Sequence, residues 1–360
     1  MPAHPTTIDE VSQCVLDHPH VLPRGANTKP ALSRTNADVT PLDLTAVRGV
    51  SAYDPGEFTI TALAGTTLQE IAQTLNEHGQ WLPFDPPLAD AGATIGGTVA
   101  AGLSGPGRLR FGGVRDFLVG VRFIDGQGKL VRGGGTVVKN AAGFDLPKLM
   151  IGSLGRLGIL VELSFKVFPK PESFTTLRVD APDLDAAIDL ICRLTSEPWD
   201  LHALDLEPPA TLYLRLAGEP ASLPQRIARL SDTIDHPAAA LTDVDGPTWW
   251  DDANAFTWAP ADTALVKVPL TPKRIAALDA HLESAGATRR YAAAGNVAWI
   301  AWPSAAPLDG LDQHLSADQL SGLVIRGDAQ RIRLGVDPAR PFMQRVKTAL
   351  DPTHRFPDFS

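Results

Sequence analysis

Two stretches of small residues have the make-up to hold a phosphate by backbone alone. Pro23-Arg24-Gly25-Ala26-Asn27-Thr28-Lys29 follows the short apolar run Val21-Leu22. A turn of that composition can aim successive backbone N–H groups at a diphosphate, with Asn27 and Thr28 adding side-chain donors. The second stretch is Gly92-Ala93-Thr94-Ile95-Gly96-Gly97-Thr98. It lacks the spacing of a dinucleotide-binding GxGxxG and the lysine of a phosphate-binding P-loop. The chemistry the pair suggests is therefore two separate loops clamping one diphosphate. Taken alone, the first loop reads more readily as an ordinary surface turn, so the pair carries the expectation.

Other constellations offer less. Gly102-Leu103-Ser104-Gly105-Pro106 approaches the G-x-S-x-G of a nucleophilic serine, but Pro106 replaces the last glycine, which excludes the serine-hydrolase reading. His18-Pro19-His20 is the one close histidine pair, and His202, His236, His281 and His314 each stand alone in sequence, so no metal site is expected. The only cysteines, Cys14 and Cys192, are far apart and form no CxxC pair, which argues against an iron–sulfur cluster or structural zinc and for a thiol-reduced, cytoplasmic protein.

The elements that must position the loops follow from periodicity. Ile8, Val11, Val15 and Leu16 repeat at helical spacing, and the next apolar run predicts a short strand entering the first loop. Phe58 to Ala64 alternates like a strand, and Gly65-Thr66-Thr67 caps a predicted helix from Leu68 to Glu77. Glycines at 92, 96, 97, 102, 105, 107, 112 and 113 make backbone the working surface between residues 85 and 113. Phe117–Ile124 and Lys129–Arg132 predict a hairpin across Asp125-Gly126-Gln127-Gly128, and Leu157–Val167 a further strand. Pro169-Lys170-Pro171 interrupts both kinds of hydrogen bonding and marks a boundary. Beyond it, strands at Thr211–Leu216 and Ala264–Leu270, and helices at Pro224–Ile234 and Pro272–Ala285, predict an α+β layer before a closing helix near Pro341–Leu350.

The bulk numbers agree with a folded, two-domain protein: 360 residues, 44% hydrophobic and 20% charged. With 32 Lys and Arg against 41 Asp and Glu, the net charge of −9 repels a phosphate backbone at long range, so no nucleic-acid partner is expected. The amino terminus has no apolar signal-peptide core, and no apolar run approaches the roughly 20 residues of a transmembrane helix.

The paired loops, followed by Leu109-Arg110-Phe111-Gly112 and Val114-Arg115-Asp116, resemble the FAD domain of the vanillyl-alcohol-oxidase (PCMH-type) family over roughly residues 8 to 171. More narrowly, Lys139-Asn140-Ala141-Ala142-Gly143-Phe144-Asp145-Leu146 and Gly152-Ser153-Leu154-Gly155-Arg156-Leu157-Gly158-Ile159 resemble the K-N-x-x-G-[YF]-D-L and G-S-x-G-x-L-G-[IV] run of glycolate-oxidase flavoprotein subunits. The resemblance implies an α+β protein. Its parts are a PCMH-type FAD-binding domain of two α/β subdomains over residues 1–171, a small α+β cap over 172–335, and a C-terminal segment, 336–360, returning to the FAD domain.

By the same resemblance, Arg24, Gly25, Ala26, Asn27, Thr28 and Lys29, with Gly92, Ala93, Thr94, Gly96, Gly97 and Thr98, are expected at the FAD diphosphate. Gly102, Ser104 and Gly105 are expected beside the flavin, and Gly158, Ile159 and Val161 are expected to supply backbone contacts. Arg108, Arg110 and Arg115 are the local cations that could favour the reduced, more anionic flavin. Some relatives attach flavin covalently through His or Cys; the first loop has neither, so noncovalent FAD is expected.

The sequence also departs from the family. Nothing between residues 173 and 335 resembles the H-x-G-D-G-N-x-H motif of relatives that oxidise 2-hydroxy acids unaided, and the tail 351–359 lacks the Asn and Gly of the family ending D-P-x-x-x-F-N-P-G. The region 245–302, rich in tryptophan, resembles the short cap of the glycolate-oxidase FAD-binding subunit, its aromatics serving core or interface more readily than a substrate box. No catalytic residue is identified. The implied function is the FAD-binding subunit of a glycolate oxidase complex. A second flavoprotein subunit and an iron–sulfur subunit would be its partners, a small 2-hydroxy acid the substrate, and the cytoplasm its place, at the inner membrane through those partners. Two alternatives remain open: a free-standing FAD-dependent oxidase or dehydrogenase of a small alcohol or hydroxy acid, and a catalytically silent assembly subunit stabilised by FAD.

Overall fold

The computed structural model describes residues 3–34, 37–135, 144–242, 244–327 and 331–359. The chain divides into two compact units. One comprises residues 1–104, 113–170 and 338–360; the other comprises 105–112 and 171–337.

In the first unit the helix Ile8–Asp17 starts where Thr7 accepts a hydrogen bond from the Glu10 N–H, and it buries Val11 and Val15 one turn apart. The strand Val21–Arg24 pairs in parallel with Thr40–Asp43. These segments share one core with Leu44, Val47, Ile124, Ile159, Val161 and, from the end of the chain, Phe356.

A five-stranded antiparallel sheet completes the unit, in the order Val50–Asp54, Thr59–Leu63, Ile159–Lys166, Leu118–Ile124, Leu130–Gly134. The hairpin expected at residues 125–128 forms, its turn held by the Asp125 carboxylate, which accepts from the N–H groups of Gln127 and Lys129. Against this sheet packs the helix Ile95–Ala101. Thr94 caps it by accepting from Gly97 N–H, and Gly102 ends it in a left-handed conformation. The helix Leu68–Asn76, capped by Thr67, buries Leu68, Ile71 and Leu75 at three- and four-residue spacing.

The closing helix Arg340–Leu350 buries a lysine. Lys347 is fully enclosed, and its ammonium donates to Asp351 Oδ2 at 2.7 Å, Phe356 O at 2.8 Å and Arg156 O at 3.5 Å. Asp351 in turn accepts from the N–H groups of Arg355 and Phe356. A Cβ added to Gly126 would lie 2.2 Å from Asp351 Oδ1, so the hairpin turn can approach this clasp only with glycine there.

The second unit is built on a nine-stranded antiparallel sheet, ordered Ala238–Ala240, Ser173–Asp180, Thr211–Gly218, Ala203–Glu207, Thr288–Ala292, Val297–Trp302, Ala264–Pro269, Ser321–Arg326, Arg333–Gly335. The helix expected over 272–285 opens as a 3-10 turn, Pro272–Arg274, because proline suits only the first turn, and becomes α-helical at Ile275–Ser284. Trp250 is buried with Ala203 and Tyr213 and donates through its indole N–H to Thr176 Oγ1. Trp249 stacks on Tyr213 at 4.0 Å, with the Arg290 guanidinium 4.8 Å over its ring. Packing and cation–π contact thus account for these aromatics. His281 and His314, far apart in sequence, stack face to face with ring centroids 3.9 Å apart and planes within 3°.

Of the glycolate-oxidase-like run, Lys139 to Gly143 lie outside the described residues. Asp145 caps the helix Leu146–Met150 through Lys148 N–H.

Candidate functional site

The two glycine-containing loops meet. A Cβ built on Gly25 would lie 2.2 Å from Thr94 Oγ1, so the first loop rests against the residue that caps the helix Ile95–Ala101. The loop is anchored on its strand side by Leu44 N–H donating to Arg24 O, and the second loop by Gly96 N–H donating to Ala64 O. Asn27 takes a left-handed φ of 57°, a conformation asparagine tolerates better than most residues.

Together they open onto a cleft in the first unit. Residues 23–29 form one wall and Thr94, Gly96 and Gly97 another; Leu44, Ala64, Leu154 and Leu160 supply apolar backing, and Gly155 and Gly158 also line it. Among the described residues, the charged side chains on its walls are Arg24 and Lys29, and no carboxylate lines it. Lys29 is only 7% exposed, its Nζ donating to Thr28 Oγ1 at 3.0 Å, and burial pushes its ammonium down to about 8. Such a cavity suits an anion that can approach backbone closely and bring an apolar body with it.

The other expected site residues are placed as follows. Gly92 makes the turn before the second loop at φ 79°, and Ala93 is buried, its carbonyl taking the Leu68 N–H. Thr98 is buried, and its hydroxyl donates back to Thr94 O. Gly102 is the helix C-cap, and Ser104 Oγ accepts from Val114 N–H, which accounts for that serine without a nucleophilic role. Gly105 and Arg110 belong to the second unit, where Arg110 pairs with Asp200 at 2.5 Å. Arg115 lies in the short helix Val114–Phe117, exposed. Ile159 and Val161 are core side chains on a central strand; the Val161 carbonyl accepts from Ala64 N–H. On the cavity's rear wall, Leu44 and Ala64, each just past the end of a strand, carry no signal of their own in the sequence, because apolar residues there read alike whether they back a cavity or a core; Leu154 belongs to the glycolate-oxidase-like run and Leu160 directly follows it. The close pair His18 and His20 is occupied locally, each ring nitrogen facing a backbone carbonyl, of Cys14 and His354.

Two abutting backbone-lined loops, cations without carboxylates and an apolar rear wall are what a flavin dinucleotide needs from a protein. Residues 1–134 match the family model described as an FAD binding domain, so the chain carries an FAD-binding domain, and FAD is its cofactor. The fold is like that of alkyldihydroxyacetonephosphate synthase, which superimposes with a TM-score of 0.71 at 15% identity, over 98% of this chain and 74% of that one. Among curated proteins, glycolate oxidase subunit GlcE of Escherichia coli is 42% identical over 216 residues, 60% of this chain and 61% of that subunit. D-lactate dehydrogenase of Anaerostipes hadrus is 34% identical over 41% of this chain and 30% of its own length, and glycolate oxidase subunit GlcD of Bacillus subtilis 32% identical over 42% and 33%. The chain thus spans about three fifths of GlcE and about a third of the other two. No helix among the described residues is long and apolar enough to cross a membrane.

Proposed function

We propose that this chain is the FAD-binding subunit of a glycolate oxidase type of complex that converts a small 2-hydroxy acid to the 2-oxo acid. The observation that carries the reading is the cavity between the two loops, whose described lining bears two cations and no carboxylate, in a chain 42% identical over 216 residues to GlcE. Bound FAD supplies the hydride-accepting chemistry that amino-acid side chains lack. The chain's own residues bind and orient: the backbone of residues 24–29 and 94–97 holds the diphosphate, Arg24 and Lys29 offset its charge, and Leu44, Ala64 and Leu160 exclude water from one side. The expected partners are a second flavoprotein subunit and an iron–sulfur subunit, through which this chain would reside at the cytoplasmic side of the inner membrane.

The test is anaerobic mixing of the FAD-loaded chain with glycolate and with D-lactate, following the visible flavin absorbance. No bleaching is expected until the second flavoprotein subunit is added. Bleaching by the isolated chain would instead make it a free-standing dehydrogenase, the reading favoured by its likeness to D-lactate dehydrogenase. Full activity of the complex after flavin reduction in this chain is blocked would reduce its FAD to a structural ligand.

A further inference from the structure

Lys29 is an ammonium group enclosed in the cavity wall without a counter-charge. Thr28 Oγ1 takes one of its donors, no carboxylate among the described residues pairs with it, and desolvation accounts for its depressed proton affinity. Burying an uncompensated cation is unfavourable, so burial eases the loss of the Lys29 proton and a nearby anion opposes that loss. Around it, Arg24 is the other ionisable side chain on the walls among the described residues; Thr28, Ser33 and Thr94 contribute hydroxyls, and the remaining lining is apolar groups and glycine. Among the described residues, Lys29 is the amine on these walls.

We propose that Lys29 makes cofactor retention proton-linked: the amine takes up a proton as the FAD diphosphate enters, so FAD is held at neutral and acid pH and released as the medium turns alkaline. The proposal rests on the reading of this cavity as the FAD site. The balance is simple: one proton moves from solvent to the Lys29 amine, and the resulting ammonium faces the diphosphate. With the free-protein value near 8, affinity should be level below that pH. Above it, affinity should fall about tenfold per pH unit until the bound-state value is reached.

The experiment uses the full chain stripped of cofactor. FAD is titrated in across a pH range of about 6.5 to 9.5, which brackets that value, following flavin fluorescence, with calorimetry at the alkaline end in two buffers of unequal ionisation heat to count protons. Wild type should show the alkaline loss and proton uptake. Lys29→Arg should bind with a level profile and no uptake, and Lys29→Met should bind about tenfold or more weakly at neutral pH, also level, in line with the loss of one charged hydrogen bond. FAD binding by wild type that is independent of pH, or an alkaline loss that persists in Lys29→Arg, would overturn the linkage while leaving the FAD site intact. No FAD binding at any pH would overturn the site itself. Should Lys29→Met fail to fold, wild type and Lys29→Arg still decide the matter.

Discussion

At the scale of single residues, two contacts have consequences out of proportion to their size. Gly25 is the point at which the two loops touch, and Thr94 Oγ1, the atom a side chain would strike, is already engaged with Gly97 N–H. Gly25→Ala must either part the loops or turn Thr94 away from its cap. The expected cost is about 1–3 kcal/mol of stability, as for overpacking a tight site, together with weakened FAD binding. The double variant Gly25→Ala/Thr94→Ala should recover part of the first loss; denaturant melts of the four proteins check this, and strict additivity would show the two residues to be uncoupled. The second contact is the Lys347–Asp351 pair, both partners fully buried. Lys347→Ala leaves Asp351 charged and enclosed, for which about 3–5 kcal/mol is the usual cost. Lys347→Met/Asp351→Leu should be far closer to wild type in the same melts.

At the scale of elements, the helices Ile275–Ser284 and Leu308–Ala317 meet through the His281–His314 stack, with Trp302 parallel to His281 at 6.0 Å and Asp318 3.8 Å from His314 Nε2. Burial first, and then His314, hold His281 below its usual value, against a smaller opposing pull from Asp318. The folded form therefore prefers neutral His281, whereas the unfolded chain accepts a proton near pH 6.5. Stability should be complete above that pH and decline as the pH falls through it. The denaturant midpoint of the second unit is expected to drop between neutral pH and about pH 5.5, below the free-histidine value, and His281→Gln should drop less; an equal fall in both would exclude this pair as the cause. The elements themselves were mostly legible: Thr7, Thr67 and Thr94 stand where caps stand, and Asp125-Gly126 announces its turn. The histidine stack was not, because nothing in local sequence reveals that two helices separated by a pair of strands will lie side by side.

At the scale of the whole molecule, composition and the double proline at 169–171 pointed to two bodies, and the small-residue loops pointed to a diphosphate site. The excursion of residues 105–112 into the second unit was not legible: Gly105–Gly112 is glycine-rich like the loop before it, and only its pairing partner, Asp200, distinguishes it. Nor was the role of the tail. Lys347 and Asp351 carry the i,i+4 spacing of an ordinary surface ion pair, and their complete burial comes from segments hundreds of residues away.

That tail bears on the order in which the protein is made. Phe356 shares one core with Val11 and Val15, and between them in the chain lies the whole of the second unit. A ribosome delivers Val11 well before Phe356, so the core these two residues share can close only after the second unit has been synthesised. During synthesis the later unit is free to fold ahead of the earlier one, and a chain interrupted anywhere before Lys347 carries both glycine loops but lacks the clasp and the last core residue that complete their unit.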